Sequence, residues 1–123
     1  MIRTIILIAL GGGIGSVLRY LTAVGVQKYY ASIFPVATFL TNIVGCLLIG
    51  VFVGLFEKNY SSSSDLKWFF ITGFCGGYTT FSSFGHENFS LFQNHNSAIA
   101  LLYIGSSIFL GISAVWLGLF LTK

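Results

Sequence analysis

Apolar residues run along this chain in four stretches, residues 4–18, 33–56, 68–85 and 97–122, with most charged residues pushed to their ends. Roughly 20 apolar residues cross a bilayer as a helix. The pattern therefore predicts an all-α membrane protein with four transmembrane helices, at about 4–26, 33–56, 66–92 and 97–121, in one domain with little outside the lipid. The third span is irregular. Its length would give about 40 Å of unbroken helix, against a hydrocarbon core of about 30 Å. Its middle reads Gly73-Phe-Cys-Gly-Gly-Tyr-Thr-Thr-Phe-Ser-Ser-Phe84, and each glycine weakens a helix by up to about 1 kcal/mol against alanine. A break at residues 75–80, near the centre of the third helix, resolves the excess length.

Non-helical backbone at membrane depth survives only where protein buries it or where it lines a wet cavity. Carbonyls exposed by such a break can hold a small cation. Phe81 and Phe84 follow at i, i+3 spacing and share one face of the helix that resumes.

Composition agrees. Of 123 residues, 55% are hydrophobic and 7% charged, whereas a soluble domain carries about 25% charged residues. The first apolar run continues past a signal core and three spans follow it, so a retained first helix is expected rather than a cleaved signal. The net charge of +3 is spread among loops and makes no nucleic-acid surface. Cys46 and Cys75 both fall inside apolar segments, where cysteine behaves as a small hydrophobe. A metal centre or a disulfide framework would want more ligands or more cysteines.

Span one contains Gly11-Gly-Gly-Ile-Gly15. A phosphate-binding fingerprint would need a strand before it, a helix after it and an acidic residue about twenty positions on. Gly11 and Gly15 read instead as a small-xxx-small pair for close helix packing, and Gly50 and Gly54 repeat the spacing in span two. Arg19 lies near the far side of the bilayer. It is either a functional charge or a side chain snorkelling to the interface. Thr38 and Asn42 share a face of span two. Asn42 either staples two helices or faces an ion route, since an amide in hydrocarbon needs a partner.

Residues 57–67 form the one clearly aqueous loop, and Asp65 suits the N-terminus of the helix it precedes. His86 and Glu87 stand at a pore mouth or among headgroups. In span four, Tyr103 and Ser107 are four apart, with Ser106 beside them and Ser113 a heptad beyond. These hydroxyls either bond backbone and neighbouring helices or line an ion path. With four spans, Arg3, Lys58, Lys67 and Lys123 share one side against Lys28. The positive-inside rule then places both ends in the cytoplasm, by a margin small enough to permit insertion in both orientations.

Three motifs together, Gly-Gly-Gly-Ile-Gly-Ser-Val-Leu-Arg-Tyr, Thr-Phe-Leu-Thr-Asn-Ile-Val-Gly and the span-three sequence above, closely resemble the Fluc (CrcB) family of fluoride channels. The resemblance covers essentially the whole chain. It implies an antiparallel, dual-topology homodimer in the cell inner membrane, with two fluoride pores and a central structural sodium ion at the dimer interface. Carried onto this sequence, the sodium carbonyls are those of Gly76 and Thr79. The pore residues are Phe81, Phe84, Asn42, Tyr103 and Ser107, and Arg19 serves the vestibule. Gly111 stands where some members carry a hydroxyl. The implied function is passive, selective export of cytoplasmic fluoride that relieves its toxicity.

Other functions fit less well. A small four-span multidrug or cation exporter wants a buried carboxylate in an early span, and spans one and two hold none before Glu57. A non-transporting assembly subunit leaves the polar break beside paired phenylalanines without a purpose. An enzyme is not expected, because His86 and Glu87 alone supply no nucleophile–base–orienter set.

Overall fold

Helix α1 (Ile2–Tyr29) is apolar on every side, and only Gly11 and Gly15 along it are buried. A helix hydrophobic all round belongs inside a large core or in lipid. The computed structural model, which describes residues 1–59 and 64–123, gives this chain no large core. Its buried hydrophobic residues are Cys75, Tyr78, Leu91, Ala100 and Tyr103. Large apolar side chains such as Ile5, Val17, Phe109 and Ile112 stand exposed. Among the described residues, three helices are long and apolar enough to cross a membrane: α1, α2 (Val36–Lys58) and α5 (Ser97–Leu121). Part of the expected aqueous loop, residues 60–63, lies outside the described residues.

Between α2 and α5 run two shorter helices. Helix α3 covers residues 64–78 in three parts, an α-helical turn Ser64–Lys67, a π-helical stretch Trp68–Cys75 and a last turn Gly76–Tyr78. π-Helical hydrogen bonds run from i to i+5 and are rare beyond one turn. Helix α4 spans Phe81–Gln93. No strand occurs among the described residues.

The connections follow from local chemistry. Pro35 sits at the N-cap of α2 with φ −75°, and its carbonyl accepts from Phe39 N at 3.1 Å. A proline loses nothing at a helix start, where its missing N–H would have no partner. Helix α4 ends in a reversal: Asn96 N donates to Leu91 O at 2.8 Å, and His95 takes φ 60°. A left-handed residue after the last turn, with a 6→1 bond around it, is the Schellman arrangement.

Two glycine contacts hold the helices together. Helix α1 packs on α3, and α2 packs on α5. A Cβ on Gly11 would overlap the Phe69 carbonyl, one on Gly15 the Phe74 carbonyl, and one on Gly77 the Gly12 carbonyl. A Cβ on Gly73 would lie 2.9 Å from Ile8 O. On the other side, a Cβ on Gly50 would overlap Val115 O, and one on Gly118 would overlap Leu47 O. Backbone meets backbone at both contacts, which is how small residues let membrane helices gain dispersion energy without a hydrophobic drive between them. Asp65, in the first turn of α3, pairs with Arg3 at 3.0 Å. The Arg3 side chain is largely exposed, and such surface pairs contribute about 0–1 kcal/mol.

Gly77→Ala should destabilise the protein by about 1–3 kcal/mol, the usual cost of forcing atoms into a packed contact. A Cβ on Gly25 meets nothing within 4 Å, so Gly25→Ala should leave stability unchanged or raise it by up to about 1 kcal/mol. Thermal unfolding of both variants in detergent checks this.

Candidate functional site

Helix α3 gives way to α4 through two extended residues, Thr79 (φ −81°, ψ 158°) and Thr80 (φ −150°, ψ 117°). Of the stretch 75–80, residues up to Tyr78 are thus helical. The backbone groups around these two threonines are shared out one by one. Thr79 gives both its N–H (3.0 Å) and its hydroxyl (2.8 Å) to Cys75 O. Thr80 N donates to Asn42 Oδ1 at 2.8 Å, and Asn42 Nδ2 donates back to Thr80 O at 3.1 Å. The Thr80 hydroxyl caps α4 by accepting from Ser83 N at 3.2 Å, as N-cap threonines do. Gly45 makes room beneath, since a Cβ there would overlap the Thr79 methyl.

Two carbonyls lose by this arrangement. In an unbroken helix Thr80 N would serve Gly76 O, and Ser83 N would serve Thr79 O. Both donors are diverted, one to Asn42 and one to the Thr80 hydroxyl. The carbonyls of Gly76 and Thr79 therefore lose the helical partners that an unbroken helix would give them. No cluster of three His, Cys, Asp or Glu side chains occurs among the described residues.

Asn42, Gly76, Thr79 and Phe81 line one groove of about 550 Å³, together with Cys46, Cys75 and Thr80. A Cβ on Gly76 would meet nothing within 4 Å. Arg19 lies in a separate cavity of about 340 Å³ with Ser16, Thr38, Thr41, Thr80 and Ser83. Thr80 lines both spaces. Arg19 forms no ion pair among the described residues.

The two phenylalanines part company. Phe81 is 83% exposed at the groove. Phe84 packs into the small core around Leu91, Ala100 and Tyr103. Their rings remain neighbours, 5.8 Å apart and tilted by 35°. Phe84 meets the Tyr103 ring at 5.0 Å and 71°, the edge-to-face geometry that aromatic quadrupoles favour. Tyr103 is fully buried, and its hydroxyl donates to Glu87 Oε2 at 3.2 Å. Ser107 Oγ is shielded from solvent and has no hydrogen-bond partner among the described residues. Ser106 and Ser113 instead bond their own helix, at Leu102 O and Phe109 O.

Several polar residues carry more of the site than the sequence suggested. The Thr38 hydroxyl donates to Glu87 Oε1, which ties α2 to α4. Thr41 is buried and returns its hydroxyl to Thr38 O at 3.0 Å. Asn88, 6% exposed, donates to Phe84 O at 2.9 Å and leaves Oδ1 without a partner among the described residues. The i, i+4 spacing of Thr38 and Asn42 signalled a polar face on α2. Nothing local signalled Asn88.

Comparison with known proteins gives this arrangement relatives. The family described as CrcB-like protein, Camphor Resistance (CrcB) matches residues 6–119. The fluoride-specific ion channel FluC of Flavobacterium psychrophilum is 58% identical over 121 residues, covering 98% of each chain. That of Azobacteroides pseudotrichonymphae is 49% identical over 123 residues, covering 100% of this chain and 98% of the relative. That of Rhizobium johnstonii is 43% identical over 114 residues, covering 93% and 91%.

Asn42→Ala should cost about 1–3 kcal/mol for each Thr80 backbone group left unpaired. Asn42→Asp keeps the acceptor for Thr80 N but, when ionised, sets an acceptor-only oxygen against Thr80 O, and should gain nothing over alanine. Unfolding midpoints in detergent with both variants below wild type check the two-sided clamp.

Proposed function

The chain belongs to the CrcB-like family, and from that membership we propose that it is a fluoride-selective passive anion channel of the cell inner membrane, exporting cytoplasmic fluoride. Residues 64–93 would form a fourth, broken crossing beside the three long helices. Two copies would pair antiparallel, the groove that bears Phe81 facing the partner. The observation that carries the reading is the diversion of two backbone donors, Thr80 N and Ser83 N, away from the carbonyls of Gly76 and Thr79.

Those two carbonyls would hold the structural sodium ion, whose charge, when bound, would offset their partial charges and favour an anion nearby. Everything else falls to side chains. Arg19 draws anions into its cavity. Asn42 Nδ2 carries two N–H groups; one serves Thr80 O, and the other is left for an anion. Phe81 and Phe84 present ring edges, which are weakly positive and hold an anion without trapping it. Ser107, whose hydroxyl is unclaimed, and Tyr103 continue the donors along α5. Conduction needs binding favourable enough to enter and weak enough to leave, and neutral donors of this kind supply that. A larger halide neither fits the collar nor exchanges its hydration for so few donors.

The physiological logic is that of a trapped weak acid. Hydrogen fluoride crosses membranes as a neutral molecule and ionises in a less acidic cytoplasm. A passive pore then lets the anion leave down its electrochemical gradient.

Liposomes containing the protein should pass fluoride rapidly and chloride hardly at all. Equal leakage of both ions, or of neither, would overturn the assignment. Phe81→Ile should cut fluoride flux by about tenfold or more, equivalent to about 1.4 kcal/mol on the barrier. It should leave the fold of one copy intact, because that ring contributes little to its packing. Cysteine crosslinking that captured only parallel pairs would count against the antiparallel dimer.

A further inference from the structure

We propose that Glu87 is a tethered anion that occupies the hydroxyls of Thr38 and Tyr103, and that its protonation releases them to a permeating anion, so that flux rises on acidification. The inference rests on the channel reading above. Glu87 accepts from Thr38 Oγ1 on Oε1 and from Tyr103 OH, at 3.2 Å, on Oε2. An ionised carboxylate is acceptor-only, and so is a halide ion. The two compete for the same O–H donors, and their like charges oppose joint occupancy.

The position of Thr38 makes the competition consequential. Thr38 lines the Arg19 cavity of about 340 Å³ and also a cleft of about 540 Å³ that holds Glu87, His86, Gln27 and Ser90. An anion gathered by Arg19 meets the Thr38 hydroxyl where these spaces adjoin, and finds it pointed at Glu87. The second donor, Tyr103, lies against the ring edge partner Phe84 at 5.0 Å, so Glu87 also fixes the hydroxyl next to that phenylalanine. A protonated carboxyl gains a donor of its own and loses acceptor capacity, which frees a hydroxyl to turn toward the anion. Glu87 is thus a positioning residue for the hydroxyl donors.

The titratable groups around it are few. His86 is on its own helix, Tyr103 is on α5, and Tyr30, just beyond α1, lines the same cleft. Helix α2 presents Thr38, which does not titrate. Arg19 of α1 lies in the adjoining cavity. His86, the neighbouring residue on the same helix, is the control.

Fluoride flux is measured in liposomes from about pH 7.5 to about pH 5.5, a range that reaches toward the ordinary carboxylate pKa of about 4.3. The flux of protein-free vesicles, which hydrogen fluoride raises as pH falls, is subtracted. Wild-type flux should rise on acidification, by at most about tenfold per pH unit, the limit for one titrating group. Glu87→Gln should flatten the profile, and His86→Gln should keep the rise. In wild type, competition also requires the half-saturating fluoride concentration to fall with pH, which tests the proposal even if Glu87→Gln does not assemble. A flat wild-type profile with fluoride selectivity intact overturns this inference and leaves the channel reading standing. Persistence of the rise in Glu87→Gln, its loss in His86→Gln, or a half-saturating concentration independent of pH overturns it equally.

Discussion

The hydrogen-bond pair between the Asn42 amide and the two backbone groups of Thr80 is the constraint on which the rest of the structure depends. Backbone that leaves the helix inside a bilayer has no water to turn to, and each orphaned group costs several kcal/mol. An asparagine amide carries a donor and an acceptor side by side, so it satisfies one residue's N–H and C=O together, as a neighbouring strand would. That lets the chain stay extended for two residues. It also decides which carbonyls remain unserved. Because Asn42 takes the N–H of Thr80, the Gly76 carbonyl loses its helical donor. Because Thr80 caps α4, the Thr79 carbonyl loses its helical donor as well.

Such a clamp works only if α2 and the break are held in register, and the glycines do that. Gly73 and Gly77 press α3 onto Gly11, Gly12 and Gly15 of α1, while Gly50 and Gly118 press α2 onto α5. Gly45 then admits the Thr79 methyl against α2. A chain with so small a buried hydrophobic core keeps its shape through backbone-to-backbone contacts, which tolerate no added methyl. Three glycines within five residues therefore do different things: Gly73 and Gly77 face the neighbouring helix, whereas Gly76 faces open space at the groove. Helix-weakening composition is common to all three, and only the packing distinguishes them.

That difference explains what could be read in advance. Apolar run length is a local property, so the three long helices were legible; the extended residues are Thr79 and Thr80, at the end of the stretch 75–80. The Gly11–Gly15 spacing pointed to close packing for the same reason. The partners were not legible, because they lie far apart along the chain. Asn42 and Thr80 are 38 residues apart, and Thr38 and Glu87 are 49 apart. No period or motif in span two names the residue that an amide will meet in span three. The π-helical stretch from Trp68 to Cys75 also left no mark, since its composition is that of any apolar helix.

Phe81 and Phe84 show how far the logic of a single helix face extends. Spacing puts them on one side of α4, and their rings do stay within 5.8 Å. Yet Phe84 completes an aromatic cluster with Phe34, Phe39 and Tyr103, whereas Phe81 opens onto a groove whose rim includes an amide, three threonines and an uncovered glycine. An exposed ring alone is ordinary for a side chain in lipid. A ring beside freed carbonyls is not, because hydrocarbon satisfies none of those groups. Lipid is therefore a poor cover for that groove.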